Sequence, residues 1–190
     1  MHAKLQRRNQ RKGWDKDVEH YDAGRRESLA EPQTQMNQNS APRPGEHVAV
    51  QASQRGYGQI EAFRADAESL EGQDDAQFDL VTCALGLMYV PEPLEAMKQV
   101  TRLLKPGGRA VFAVWGARKN CGWADIFPIV DARVETDVCP MFFRLGTGDV
   151  MAMEMEHAWL GSLETVRFDT SLPFESDEAA VEAAFIGGPV

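Results

Sequence analysis

With 190 residues, 43% of them hydrophobic and 26% charged, the chain has the make-up of one globular domain around a single core. A net charge of −9 argues against broad nucleic-acid binding, which needs a cationic surface, and no apolar run reaches the roughly 18 residues of a membrane span. Cys83, Cys121 and Cys139 are odd in number and lack CxxC spacing, so no disulfide framework is expected. His2, His20, His47 and His157 form no HxH or HxxxH pair that would suggest a metal site. Free thiols and the lack of an apolar secretory core at the N-terminus give the expectation of a cytoplasmic protein.

Residues 1–13 carry Lys4, Arg7, Arg8, Arg11 and Lys12 with no acid among them. A basic arm on an acidic body suits RNA or an anionic membrane, but a solvated, disordered tail is the simpler expectation, followed by a single domain over 14–190. Trp14, Val18, Tyr21 and Leu29 recur at helical spacing. Pro32, Pro42 and Pro44 mark a connector from Glu31 to Glu46. His47–Val50 is a short apolar candidate strand, Gln51–Gly58 a brief helix or turn, and Ile60–Ala65 a further candidate strand ending at Asp66.

After a polar turn at Asp74–Gln77, Phe78–Ala84 reads as a strong strand. Pro91–Leu104 places Leu94, Met97, Val100, Leu103 and Leu104 at the spacing of a helix packed on a sheet, with Lys105 in its last turn and Pro106 stopping it. Arg109–Trp115 is a nearly unbroken apolar run, as expected of a strand covered on both faces. Strand, helix and strand make one βαβ unit, the building block of parallel sheets whose ligands lie at the strands' C-terminal ends, here at Cys83, Ala84 and Leu85. Further on, Trp123–Val134 suggests a helix, Val138–Leu145 a loop or lid because of Pro140, Asp149–Leu160 a helix, Thr165–Phe174 a strand and Asp177–Phe185 a last helix.

Three motifs then fall in order: Asp66-Ala67-Glu68-Ser69-Leu70, Phe78-Asp79-Leu80-Val81 and Leu104-Lys105-Pro106-Gly107-Gly108. Together they resemble the class I S-adenosylmethionine-dependent methyltransferases, in particular the ubiquinone/menaquinone-biosynthesis (type 11 domain) group. Trp14, Tyr21-Asp22 and Arg43-Pro44-Gly45-Glu46 resemble that family's lead-in to its first strand. The resemblance implies an α/β, Rossmann-like, mostly parallel sheet flanked by helices. It also implies methyl transfer to a small or lipid-like acceptor, with S-adenosylmethionine as donor. Asp66 and Ala67 then stand for the adenine-side contact. Cys83, Ala84 and Leu85 line the site, and Leu87, Met88 and Tyr89 follow in the loop where cofactor and acceptor meet. Tyr21, like Trp14, stands where an aromatic ring closes over the cofactor, with cation–π attraction to a sulfonium. Helix-to-core packing explains both rings as well.

The sequence departs from that pattern in one place. The family's first strand runs into an acidic, glycine-rich loop, whereas Pro44–Val50 continues directly into Gln51–Gly56. The glycine-rich loop, one helix and the second strand are missing from the pattern, and the C-terminus ends without the family's final strand. The expectation is an incomplete sheet, marginal in stability or rearranged so that Ile60–Ala65 lies beside His47–Val50. Two functions follow: a methyltransferase, or a catalytically inactive remnant serving as a binding or regulatory module. Cys83 also reads as a small buried hydrophobe, and burial alone explains Trp115 and Trp123, which equally suit an acceptor pocket. Glu92, Asp125 and His157 are equal candidates for a general base, needed only for a hydroxyl or acidic-carbon acceptor. The pattern does not set the oligomeric state.

Overall fold

The computed structural model describes residues 65–132, 141–171 and 173–186. The readings made for the tail, for Trp14 and Tyr21, for His47–Val50 and for Ile60–Arg64 lie outside these residues, as does Cys139. At the centre is the expected unit: β1 (Phe78–Ala84), α1 (Pro93–Leu103) and β2 (Leu104–Ala113), the two strands pairing in parallel. Further along come α2 (Phe127–Asp131), α3 (Val150–His157) and α4 (Asp177–Ile186), with short 3-10 turns at Leu87–Tyr89, Arg118–Asn120 and Gly122–Ile126.

The helix α1 forms because Pro93, just after Glu92 at the N-cap position, occupies its first position with φ already set, and Ala96, Met97, Val100 and Leu103 line one buried face. It ends one residue earlier than the pattern suggested. Leu104 is already extended (φ −72°, ψ 135°), so Lys105 lies outside the helix, and the base in the last turn is Arg102. The cause is Pro106, which disfavours helical geometry at the residue before it. Lys105 instead reaches Asp79 Oδ2 at 2.8 Å, tying the start of β2 to the start of β1.

The Leu104–Gly108 segment is a bulge within the ladder. Phe78 pairs with Leu104 and Leu80 with Arg109, so Asp79 alone faces the four residues Lys105–Gly108, and the excess is looped out there. Gly107 takes φ +77°, and a Cβ on Gly108 would lie 2.9 Å from the Lys105 carbonyl oxygen and 3.1 Å from that of Phe78. Both glycines are therefore required by backbone geometry. Beyond the bulge the register is regular, from Val81–Ala110 to Ala84–Ala113.

Two apolar clusters flank the unit. One packs Leu87, Ala96, Met97, Leu145 and Ala158 with Cys83, Phe112 and Val114, joining α1 and α3 to one sheet face. Thr101 Oγ1 donates to the Ala158 carbonyl at 2.6 Å, fixing the end of α3 against the last turns of α1. The other gathers Leu85, Met88, Ala124, Phe127, Phe142 and Phe143 at the C-terminal end of the strands. Arg109–Ala113 are all half-buried rather than buried, so the expectation of a strand covered on both faces is not met. From β2 and the residue after it, Phe112 and Val114 pack into the α1–α3 core.

The other expectations divide. Asp149–Leu160 and Asp177–Phe185 are helical over Val150–His157 and Asp177–Ile186. Within Trp123–Val134, the described residues form a 3-10 turn leading into a short α-helix, Phe127–Asp131. Thr165–Phe174 forms no strand in its described residues. It runs exposed along the surface, held by Arg167, whose guanidinium donates to the carbonyls of Gly146 (3.4 Å) and Gly148 (2.9 Å). Alternating residues supply strand propensity but no ladder partner, and side-chain bonds to another loop take its place. Within Val138–Leu145, the described residues Met141–Leu145 are not strand, in line with the reading as loop or lid, and Phe142, Phe143 and Leu145 are buried in the core.

Candidate cofactor and acceptor site

The C-terminal end of β1 is where local backbone geometry is least ordinary. Leu85 continues the ladder by donating its amide to the Ala113 carbonyl at 2.8 Å, but its φ is +54°, the left-handed region that a leucine seldom adopts. That reversal turns the chain into Gly86 and the Leu87–Tyr89 turn, with Tyr89 bonded to the Gly86 carbonyl at 3.0 Å. Leu85 buries its side chain among Met88, Phe127, Phe142 and Phe143. Strain of this kind, of order 1–3 kcal/mol, persists only where surrounding packing enforces it.

Cys83 points the opposite way. Its side chain packs in the α1–α3 cluster, and burial pushes its thiol pKa up, against the amides of Gly86 and Leu87 that donate to the sulfur. The thiol is therefore core, and only the backbone of Cys83 and Ala84 is placed to line a site. Ala84 is half-buried at the strand's last position.

Asp66 and Ala67 lie together on one exposed turn. Asp66 Oδ1 accepts the Glu68 amide at 2.9 Å, and its carbonyl accepts the amides of Ser69 (3.1 Å) and Leu70 (2.8 Å). The turn is not isolated. Glu68 Oε1 accepts the amide of Glu92, the residue capping α1, at 3.2 Å, which brings the acidic turn to the same end of the βαβ unit as Leu85. Below, Arg102 binds the carbonyls of Leu70 and Gln73 and the carboxylate of Asp75, securing the chain between the turn and β1.

Facing this end is a nest of aromatic rings that the sequence reading only touched on. Trp123 sits at its centre, 5.3–5.5 Å from Trp115, Phe142 and Phe143. Tyr89 meets Phe142 edge-on at 5.2 Å, and the Arg118 guanidinium lies 5.7 Å from the Phe127 ring centre. Trp115, Trp123 and Tyr89 are half-buried and form the rim, whereas Phe127, Phe142 and Phe143 are buried. The strap Met141–Asp149 supplies two of these rings. Phe142, Phe143 and Leu145 each stabilise the fold by about 1.5–3 kcal/mol through burial, so lifting the strap would cost about 5–9 kcal/mol. That is comparable to a whole domain's net stability, and it makes the strap a fixed wall rather than a moving lid.

Of the three candidate bases, Asp125 lies in the 3-10 turn that carries Trp123, and Glu92 caps α1 beside the acidic turn. His157 ends α3, next to Ala158 and Thr101, roughly 14 Å along α1 from Glu92, at the wrong end of the unit for the site. Among the described residues no three His, Cys, Asp or Glu side chains stand together as a metal site. No helix among them is long and apolar enough to cross a membrane.

The polar turn, the strained strand end and the ring nest stand together at the C-terminal end of a parallel βαβ unit, the end at which open α/β sheets take their ligands. Residues 35–112 match the family model described as a methyltransferase domain. Curated relatives include the demethylmenaquinone methyltransferase of Bacillus velezensis, 45% identical over 56 residues, which are 30% of this chain and 24% of that protein. The ubiquinone/menaquinone biosynthesis C-methyltransferase of Pseudomonas putida is 50% identical over 63 residues, 33% of this chain and 24% of that protein. The ubiquinone biosynthesis O-methyltransferase of Alkalilimnicola ehrlichii is 44% identical over 46 residues, 24% of this chain and 19% of that protein. Over this segment the chain is similar to methyltransferases of ubiquinone and menaquinone biosynthesis. It spans about a quarter of the length of these relatives, and no solved structure matches it.

Proposed function

We infer that the chain binds S-adenosylmethionine across the C-terminal end of β1 and supports methyl transfer to a small, lipid-like acceptor of the quinone type. The observation that carries this reading is the tie between Glu68 and Glu92, which sets the acidic turn beside the strained end of β1. The donor set fits the cofactor's base. Asp66 is exposed and has a second carboxylate oxygen to offer, and the exposed backbone of Ala67 stands next to it. A carboxylate beside a backbone amide suits the polar edge of an adenine. Ala84 and Leu85 form the floor against which the middle of the molecule would rest, and Tyr21 is the ring proposed to close over it.

S-adenosylmethionine supplies, when bound, a methyl group on a sulfonium, an already reactive donor. The protein's share of the work is positioning and exclusion of water. The rim rings Tyr89, Trp115 and Trp123 give the acceptor side a flat apolar surface, which fits the quinone precursors for which the relatives are named. Asp125, on the element that carries Trp123, is the residue proposed to take a proton from a hydroxyl or an acidic ring carbon.

Calorimetric titration with S-adenosylmethionine and S-adenosylhomocysteine tests this reading. The departure from the family's glycine-rich loop makes the result decisive: micromolar binding shows that the remaining contacts suffice, and millimolar or undetectable binding overturns the reading in favour of a non-catalytic module.

A further inference from the structure

We propose that Gly146 and Arg167 are positioning residues that fix the strap Met141–Asp149 on the end of β2 and thereby set Trp115, the acceptor-facing ring. The inference rests on the site reading above, but its decisive measurement does not.

Gly146 lies directly on the backbone at the end of the strand. A Cβ placed there would fall 2.7 Å from the Trp115 carbonyl carbon and 2.8 Å from Gly116 Cα, and nearer still to the Trp115 carbonyl oxygen. Only glycine permits this approach, because the clashing atoms are main chain and cannot rotate away. Arg167 then clasps the strap from outside through the carbonyls on either side of Thr147, those of Gly146 and Gly148. On its own side the strap is held by Arg144, which pairs with the buried Glu154 of α3, and by Thr147 Oγ1, which donates to the Phe143 carbonyl at 2.8 Å. The strap therefore transmits one position to Trp115 through its backbone and to Trp123 through Phe142 and Phe143. Arg167 lies in a largely exposed segment without regular secondary structure, so its bonds to the strap give that segment a role that its own packing does not.

The test uses the full chain with Arg167→Ala, Arg167→Lys and Gly146→Ala. Near-ultraviolet circular dichroism reads the edge-to-face Trp115–Trp123 pair, with Trp123→Phe identifying its signal. Steady-state assays with S-adenosylmethionine and 1,4-naphthohydroquinone read the acceptor side. The expected result for Arg167→Ala is an altered tryptophan signal with an unchanged far-ultraviolet spectrum. The acceptor KM should rise about tenfold while kcat and S-adenosylhomocysteine affinity stay within about twofold, as expected of misplacement rather than lost chemistry. Arg167→Lys should restore part of the signal. A tryptophan spectrum in Arg167→Ala identical to the parent overturns the proposal, whether or not Gly146→Ala folds. Failure of the parent chain to bind S-adenosylhomocysteine overturns the site reading instead, and the tryptophan spectra still decide this one.

Discussion

Leu85 donates its amide to the carbonyl of Ala113 at 2.8 Å while holding φ at +54°, so the last bond of the ladder is made by a residue in a conformation it disfavours. A left-handed leucine is enforced from outside, by its buried side chain and by the pairing of β1 with β2. Removing the side chain should therefore invert a usual order. Leu85→Ala and Leu85→Gly both forfeit a buried leucine, worth about 2–5 kcal/mol. Glycine, free of the left-handed penalty, should be the more stable of the two by about 0.5–1 kcal/mol. Urea unfolding of the two variants side by side checks this; alanine proving the more stable would show that the backbone there is unstrained.

Burial raises the thiol of Cys83 above its usual range, with the bonds from Gly86 and Leu87 opposing the shift. An unfolded chain ionises its thiols near pH 8.5, whereas the folded chain keeps this proton longer. Above about pH 8.5 the unfolded state thus binds fewer protons, and stability falls as pH rises. Cys83→Ala should flatten that decline in denaturation curves taken between pH 8 and 10 (roughly the range of an ordinary thiol's titration). Cys121, also raised by burial, contributes in the same direction, so Cys121→Ala is the matched control.

Asp66 is expected to touch the cofactor and Glu68 only to place it. Asp66→Asn should weaken S-adenosylhomocysteine binding about tenfold, the size of a lost charged hydrogen bond. Glu68→Ala, which releases the turn from Glu92, should weaken it less and lower stability by about 0.5–1.5 kcal/mol. Titration calorimetry on both variants separates the roles. Equal affinities for the two would mean that Asp66 makes no direct contact.

Gly146→Ala should destabilise the fold by about 1–3 kcal/mol, since the added methyl meets main-chain atoms of Trp115 and Gly116. Gly148→Ala is the informative comparison. Its surroundings are open, so any cost there comes from φ +56° alone. Midpoints of thermal unfolding for the pair distinguish crowding from backbone conformation.

The course of the central βαβ unit was legible in sequence because its signals are local. The Phe78–Ala84 run, the helical spacing of Met97, Val100 and Leu103, and the Pro106-Gly107-Gly108 turn each act within a few residues. Even the early end of α1 follows from Pro106, a rule the sequence already contained. The resemblance carried by those motifs points to the same part of the chain as the methyltransferase-domain match, residues 35–112.

What depends on partners distant in the chain could not be read that way. Alternation in Thr165–Phe174 promised a strand, but a strand needs an edge to pair with, and Arg167 found the strap's carbonyls instead. Pro140 made Val138–Leu145 read as a loop or lid, and nothing local showed that Phe142, Phe143 and Leu145 are core. The same holds for Cys83 and Leu85. Two positions apart in sequence, they serve opposite sides of the sheet's end, the thiol in the α1–α3 core and the leucine against the rings. The sequence by itself determined a parallel βαβ unit, since periodicity and turn chemistry are properties of neighbouring residues. Tertiary structure alone decided which side chains became core and which elements close the site, because burial and backbone contacts such as that of Gly146 with Trp115 exist only once distant segments meet.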